Sequence, residues 1–356
     1  MAQAEIVVHE PNFVVDVWLD QIDGQSPRLE AIRNTEYGFG VVAASIKDEG
    51  ILNVIKITHK SIESFAKKEG FPDVSAVRII KFDRSGYFKN ELYLSVFFDN
   101  DSDGFYDKSC LYKVSADREI SLVLCRGNQD DKVAFVFDFT NGNNGYQAGA
   151  YLFDNLPETE QCLYYMDSDY NLTPLVASLP IGRTDLDIWG IQFDPTGLYG
   201  SYLTMADSDW NNDHKAVIYQ LLPEDLSWQE LTEVETINDY YYKDMCFSSG
   251  GTFGQRLYVA KPDTDTVTSI DPNGTLREFA DGFSNIESVT ISDDGLHMFV
   301  SDENGIYRIR KSTTIIGPVL IMREPWVESD DVHTGEKGWM ICGYYGTRRY
   351  CFPARM

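Results

Sequence analysis

The chain has 356 residues, with 30 Lys and Arg against 56 Asp and Glu, a formal net charge of −26 and 43% hydrophobic residues. So large an excess of carboxylates repels nucleic acid and anionic membrane surfaces, which removes both as partners, and suits a protein that collects cations or stays soluble outside the cell. The hydrophobic share is enough for a packed core, and no window approaches the roughly 18 consecutive apolar residues of a membrane span.

The N-terminus, "MAQAEIVVHE" (1–10), has no basic, apolar leader. Ala2-Gln3-Ala4 matches the remnant of an A-x-A cleavage site behind an added methionine, as in a mature secreted or periplasmic form, although a cytoplasmic protein can begin the same way. "FVVDVWL" (13–19) reads as a strand. "YGFGVVAAS" and "NVIKITH", within 37–59, read as the first hairpin, and "KSIESFAKKEG" (60–70) as a helical insertion. Next comes "VRIIKFDRSGYFKNELYLS" (77–95), two strands around a turn, and then the acidic stretch "FFDNDSDGFYDKSCLYKV" (97–114). Its D-x-D-x-D-G-x-x-D pattern resembles a shortened calcium loop. Asp99, Asp101, Asp103 and Asp107 supply carboxylates, Phe105 its carbonyl, and Gly104 the sharp turn. Position twelve is Cys110 where an EF-hand has Glu, and strands flank the loop, so no EF-hand is indicated. Oxygen-only ligands favour Ca²⁺ over Mg²⁺, which demands stricter geometry.

Cys110 and Cys125 flank a hairpin whose register sets Leu111 against Leu124 and Val114 against Ser121. That places the two cysteines opposite each other, where a cross-strand disulfide is possible. Cys342 and Cys351 bracket "GYYGTRRY" in the same way. Local disulfides imply an oxidising compartment, the alternative being six reduced thiols.

Four stretches align: 77–95, "WGIQFDPTGLYGSYLT" (189–204), "KDMCFSSGGTFGQRLYVA" (243–260) and "ESVTISDDGLHMFVS" (287–301). Each is an apolar strand ending in Phe or Ile, then Asp or Ser, a turn closing on Gly, and a second strand. A further unit fits at 133–178 and an earlier one at 37–59. Together they give six units of roughly 45 to 55 residues, each a four-stranded antiparallel meander, and so a six-bladed β-propeller. A pair of β-sandwiches would not explain the repeated register. The last unit is completed either by the N-terminal strand 13–19, closing the ring, or by 314–322. The propeller is expected over 1–325, with a C-terminal extension over 326–356 that carries the Cys342/Cys351 pair.

The repeats at 189–204 and 287–301 resemble blades of the SMP-30/gluconolactonase, NHL and strictosidine-synthase-like six-bladed propellers. Those folds include hydrolases, lyases and binding proteins. The resemblance implies, for the hydrolases, one Ca²⁺ held by acids and amides at the starts of the innermost strands. The aligned starts here carry Arg78, Trp189, Lys243 and Glu287, with Asp187 and Asp244 nearby. Glu287 takes a ligand position, but Arg78 and Lys243 oppose a cation.

A second acidic loop is expected at "ADSDWNNDHK" (206–215), offering Asp207, Asp209, Asn211 and Asp213. His214, beside it, is a candidate acid or base. Two readings stand. In the first, a calcium-bearing, extracytoplasmic binding module uses a face including Arg78, Trp189, Trp210, Lys243, Asp244 and Tyr240 to Tyr242 to hold a glycan, peptide or small molecule. In the second, a Ca²⁺-dependent hydrolase or lyase uses Glu287 and His214 on a small ester, lactone or sugar.

Overall fold

Short apolar runs separated by Gly- and Asp-rich turns make the chain a succession of strands. The computed structural model describes residues 6–20, 27–34, 38–47, 50–58, 61–72, 75–98, 108–126, 135–142, 145–154, 162–176, 186–196, 203–209, 215–235, 243–312, 339–345 and 348–354. Strands β1 (Val7–Val8) and β2 (Phe13–Asp20) precede the first sheet, formed by β3 (Arg28–Asn34), β4 (Gly38–Lys47), β5 (Ile51–Ile57) and β6 (Ile62–Lys68). The second sheet holds β7 (Ser75–Phe82), β8 (Leu92–Phe98), β9 (Lys108–Val114) and β10 (Ile120–Arg126). The third holds β11 (Phe135–Thr140), β12 (Gly149–Asp154), β13 (Cys162–Met166) and β14 (Leu172–Val176). The fourth holds β15 (Leu186–Phe193), β16 (Leu203–Asp209), β17 (Lys215–Leu221) and β18 (Trp228–Glu235). After these come β19 (Asp244–Phe247), β20 (Leu257–Lys261), β21 (Thr266–Ile270) and β22 (Leu276–Asp281), then β23 (Ser288–Ile291), β24 (His297–Asp302) and β25 (Gly305–Lys311).

Within each sheet neighbouring strands pair antiparallel, and consecutive strands lie side by side. The first strands of successive sheets touch in cyclic order: β3, β7, β11, β15, β19, β23 and back to β3. They are therefore the inner strands, and the architecture is an all-β propeller of four-stranded antiparallel blades. Burial falls outward, as this arrangement requires. Every residue of β20 and β21 is buried, whereas β22 exposes Arg277 and Glu278. The core lies between sheets. Ile32, Leu52 and Val54 pack with Leu94 and Val96, Phe137 and Tyr151 with Phe193, and Tyr258 and Phe279 with Val300. Leu29 and Val41 meet Phe299 and Ile306, joining the first sheet to the one that ends in β25.

The repeated Phe-Asp or Phe-Ser signal is a turn device. Asp83, fully buried, accepts hydrogen bonds from the amides of Ser85 (2.9 Å), Phe88 (2.8 Å) and Asn90 (3.1 Å). Asp194 accepts from the amide and hydroxyl of Thr196 at 2.7 and 2.6 Å. A carboxylate or hydroxyl at this point satisfies amides that the tight turn leaves outside the ladder. Gly295 closes one such turn at φ 64°, and a Cβ there would lie 2.5 Å from the Gly250 carbonyl oxygen of the neighbouring sheet. Glycine is thus required by the contact as well as by the angle.

Three expectations need correction. Residues 60–70 are not a helix: β6 pairs with β5 and buries Phe65 and Ala66, which overrides the local helical propensity of its Lys and Glu residues. The first blade begins at β3, ahead of the hairpin seen in the sequence. The hairpin register of Cys110 and Cys125 holds at Leu111 and Leu124, and their disulfide is formed. A bulge between Leu122 and Leu124 then sets Val114 against Ile120 in place of Ser121. The chain divides into two compact units, Met1–Lys311 and Ser312–Met356. In the second unit, β26 (Trp339–Tyr345) and β27 (Arg348–Ala354) form a hairpin with Cys342 opposite Cys351. Residues 314–322 lie outside those described.

The N-terminus supplies the outer strand that completes the last sheet. β2 pairs with β25 from Phe13↔Lys311 to Asp20↔Gly305, and β1 adds a fifth strand to the preceding sheet through β22. Asp16 fixes this clasp: it accepts from Arg310 Nε at 2.7 Å and Arg308 Nη2 at 2.6 Å. The Arg310 hydrogen bond, with Arg308 and against the opposing pull of burial, holds the Asp16 carboxyl below the ordinary value of 3.8. Its folded value lies below its unfolded one, so the stabilisation is complete above about pH 4 and is lost as pH falls through the folded value. Asp16→Asn should lower stability at neutral pH by about 1 kcal/mol and flatten the loss seen on acidification. Urea midpoints of both proteins across the acid range check this.

Candidate functional site

The inner strands present two polar layers, one at their starts and one at their exits. At the starts, Glu287 is held by two cations: Arg28 Nη2 at 2.8 Å from Oε1, and Lys243 Nζ at 2.7 Å from Oε2. Arg28 is 2% exposed, and its guanidinium also donates to the carbonyls of Glu287 (2.7 Å) and Lys243. Asp244 is occupied too, accepting from the Ser288 hydroxyl, the Val289 amide (3.2 Å) and the Met245 amide (2.9 Å). An acid already paired with a guanidinium and an ammonium is a poor oxygen donor for a hard cation. The strand starts therefore do not fit the Ca²⁺ that the resemblance implies there.

A second pattern explains why the inner strands are polar at all. Each is an edge strand whose alternate amides point away from its own sheet and need partners. Side chains of the preceding inner strand provide them. Glu30 accepts from Phe82 N (3.3 Å), Asp138 from Phe193 N (2.8 Å) and Asp244 from Val289 N. Ser288 accepts from Leu29 N (3.0 Å), and Thr290 from Ala31 N (3.2 Å), across the closing contact of the ring.

At the exits Glu30, Asp138 and Thr290 of this set line a cavity of about 680 Å³. The inner strands contribute Glu30, Lys81, Asp138, Gln192, Cys246 and Thr290 to its wall at equivalent positions, and β11 adds Thr140. Phe82, Phe139, Phe193 and Phe247 stand beside them, and the lining stops short of Arg28, Lys243 and Glu287. Glu30 is taken up by Arg84, which also reaches Asp293 at 2.6 Å and so ties the exit turns of two sheets together. Lys81 and Gln192 are each 8% exposed, and among the described residues neither side chain forms a hydrogen bond or ion pair. Burial alone would depress the Lys81 ammonium, but the Asp138 and Glu30 carboxylates outweigh it and hold the group above the ordinary lysine range. Burial pushes the Asp138 carboxyl up, against the pull of Lys81. Cys246 is a free thiol whose acidity burial suppresses, so it is neutral at physiological pH.

The residues proposed from sequence fall into three groups. Lys243, Asp244 and Glu287 come together at the strand starts, with Arg28 as an unforeseen partner. Arg78 and Trp189 sit at equivalent bulges of β7 and β15, Arg78 half-buried. β16 extends through Asp209, so Asp207 and Asp209 stand in a ladder, opposite Val217 and Leu186, and not in a loop. Asp99, Asp101, Asp103, Phe105, Asp107, Trp210, Asn211, Asp213, His214 and Tyr240 to Tyr242 lie outside the described residues. The exit ring was missed, although "IIKF", "VFDF", "GIQF", "DMCF" and "SVTI" each place a hydrophilic or thiol side chain just before the strand-ending Phe or Ile. That shared position was its signal.

The fold defines the class as a β-propeller of four-stranded blades with a cavity at the exits of its inner strands. No protein-family model matches the chain, and no curated protein matches it. In fold it is similar to a gluconolactonase from Xanthomonas campestris, at 11% identity and TM-score 0.57, over 86% of this chain and 94% of that one. It is also similar to a glucose dehydrogenase, at 12% identity and TM-score 0.52, over 83% and 99% of the two chains. An auxiliary nutrient-binding protein from Bacteroides thetaiotaomicron gives 12% identity and TM-score 0.52, over 86% and 76%. At these identities the likeness is one of fold.

Removing the Glu287 charge should leave Arg28 buried beside a neutral partner. Glu287→Gln is expected to cost about 3 kcal/mol, the scale for breaking a buried pair from one side. Chemical denaturation measures this, and an unchanged midpoint would show that the strand-start cluster does not hold the ring.

Proposed function

We propose that this protein is a binding module that holds a small polar molecule in the cavity at the exits of its inner strands. The observation that carries this reading is Lys81, a buried residue of the cavity wall whose ammonium has no side-chain hydrogen-bond partner among the described residues. Its donors therefore face the cavity, where a bound polar group can fill them. The cavity volume falls in the range of small-molecule sites, and its mix of aromatic walls and a few convergent polar groups is typical of them. A hydrolase built on Glu287 and a metal is disfavoured by the Arg28 and Lys243 contacts. The cyclic order of inner-strand contacts supports six blades as the full ring. Thermal-shift screening of the wild-type protein and Lys81→Met against polar metabolites tests the reading. We expect stabilisation of the wild type that the variant loses while keeping its own cooperative melt. Identical responses in the two proteins would contradict it.

A structural calcium in residues 99–107 belongs to the same proposal. Its support is the D-x-D-x-D-G-x-x-D pattern and the pairing of Phe98 with Lys108, which brings the two ends of that segment together. Carboxylates gathered by the fold bind the ion better than the unfolded chain does, so Ca²⁺ should raise the melting temperature and EDTA lower it. The gain at 100 times the dissociation constant would be about 2.7 kcal/mol for one site. Asp101→Ala with Asp103→Ala should remove most of that response, and a wild-type melting temperature indifferent to chelator would refute the site. The Cys110–Cys125 disulfide supports an oxidising, extracytoplasmic location.

A further inference from the structure

The cavity wall carries two opposite charges that do not meet. Lys81 on β7 and Asp138 on β11 occupy neighbouring inner strands, and both line the cavity. They feel each other electrostatically, yet among the described residues Lys81 has no carboxylate within ion-pair distance. Glu30, on the other side of Lys81, is engaged by the Phe82 amide and the Arg84 guanidinium. Asp138 accepts a hydrogen bond at Oδ2 from the Phe193 amide and is also bonded by the Phe139 amide, which leaves part of its four lone-pair sites unfilled. The wall therefore offers three ammonium donors and unused carboxylate lone pairs across a gap, with the Gln192 amide beside them.

A simple anion placed on Lys81 would be repelled by Asp138, and a simple cation on Asp138 would be repelled by Lys81. A neutral polyol could bond to both, but without opposing charge. Hydrogen bonds between charged partners are roughly twice as strong as neutral ones. Resting on the binding-module reading, we propose that the ligand is a small zwitterion of the α-amino acid class, its carboxylate on Lys81 and its ammonium on Asp138. The cavity has room for the side chain, and the phenylalanine walls and the Gln192 amide meet it.

Calorimetric titration of the wild-type protein with each standard L-amino acid tests this. A free amino acid that binds should be weakened about tenfold or more when its amine is acetylated, and again when its carboxylate is made a carboxamide. Lys81→Met should bind the free acid and the carboxamide alike, and Asp138→Asn should bind the free amine and its acetyl form alike. Asn keeps an acceptor for the Phe193 amide, and the capped ligands give the same discrimination on the wild-type protein if a variant fails to fold. If no amino acid binds, or capping either end changes nothing, the zwitterion assignment is overturned. Lys81-dependent binding of glucose or gluconate in place of amino acids would overturn it too, while leaving the binding-module reading intact. Failure of every probe, with Lys81→Met indistinguishable from wild type in the metabolite screen, would remove both.

Discussion

The inner edge of each blade is the constraint on which the rest of this structure depends. A four-stranded sheet buried on both faces still ends in an edge strand, and at the centre of a propeller that edge cannot be covered by another strand. Its amides need acceptors, and here the acceptors are side chains of the preceding inner strand: Glu30, Asp138, Asp244, Ser288 and Thr290. An unmade bond at a buried amide costs about 1–3 kcal/mol, so these polar residues are as necessary as the hydrophobic core. A polar axis follows from the topology before any ligand is considered.

The two ends of the axis use this polarity differently. At the strand starts, the charges are consumed internally: Glu287 balances Arg28 and Lys243, and Arg28 also ties the chain of two neighbouring strands through their carbonyls. At the exits, Glu30 is consumed by Arg84, while Lys81, Gln192 and part of Asp138 remain available to the cavity. Residues that cap the neighbour's amides and residues that face the cavity share the same positions on the strands. Site and closure are therefore coupled: a substitution that alters one perturbs the other.

Much of the architecture was legible in the sequence, because the propeller repeats a local device. The strand-ending Phe or Ile, the capping Asp or Ser and the turn Gly recur, and each has a physical task at Asp83, Asp194 and Gly295. Strand β2 was visible from its apolar run, and Cys110 with Cys125 from the symmetry of their hairpin. Strand β3 was not. Its sequence, "RLEAIRN", interrupts the apolar pattern because Arg28 and Glu30 serve the polar axis, so it does not resemble a buried strand. Strand β6 was disguised in the opposite way, its solvent-facing Lys and Glu residues imitating a helix while pairing with β5 decided the outcome. The exit ring escaped because its members share a position and not a residue type. Lys, Asp, Gln, Cys and Thr have no common chemical signature, and only the inner-strand register brings them together.

The capping of inner-edge amides can be measured directly by amide hydrogen exchange on the native protein. Edge amides left to solvent exchange quickly, whereas amides bonded to buried acceptors exchange only when the structure opens. The amides of Leu29, Ala31, Phe82, Phe193 and Val289 should be protected to the same degree as ladder amides of the buried strands β20 and β21. Exchange of these five at the rate of the surface turns would contradict the closure of the ring by side chains, and with it the origin assigned here to the polar axis.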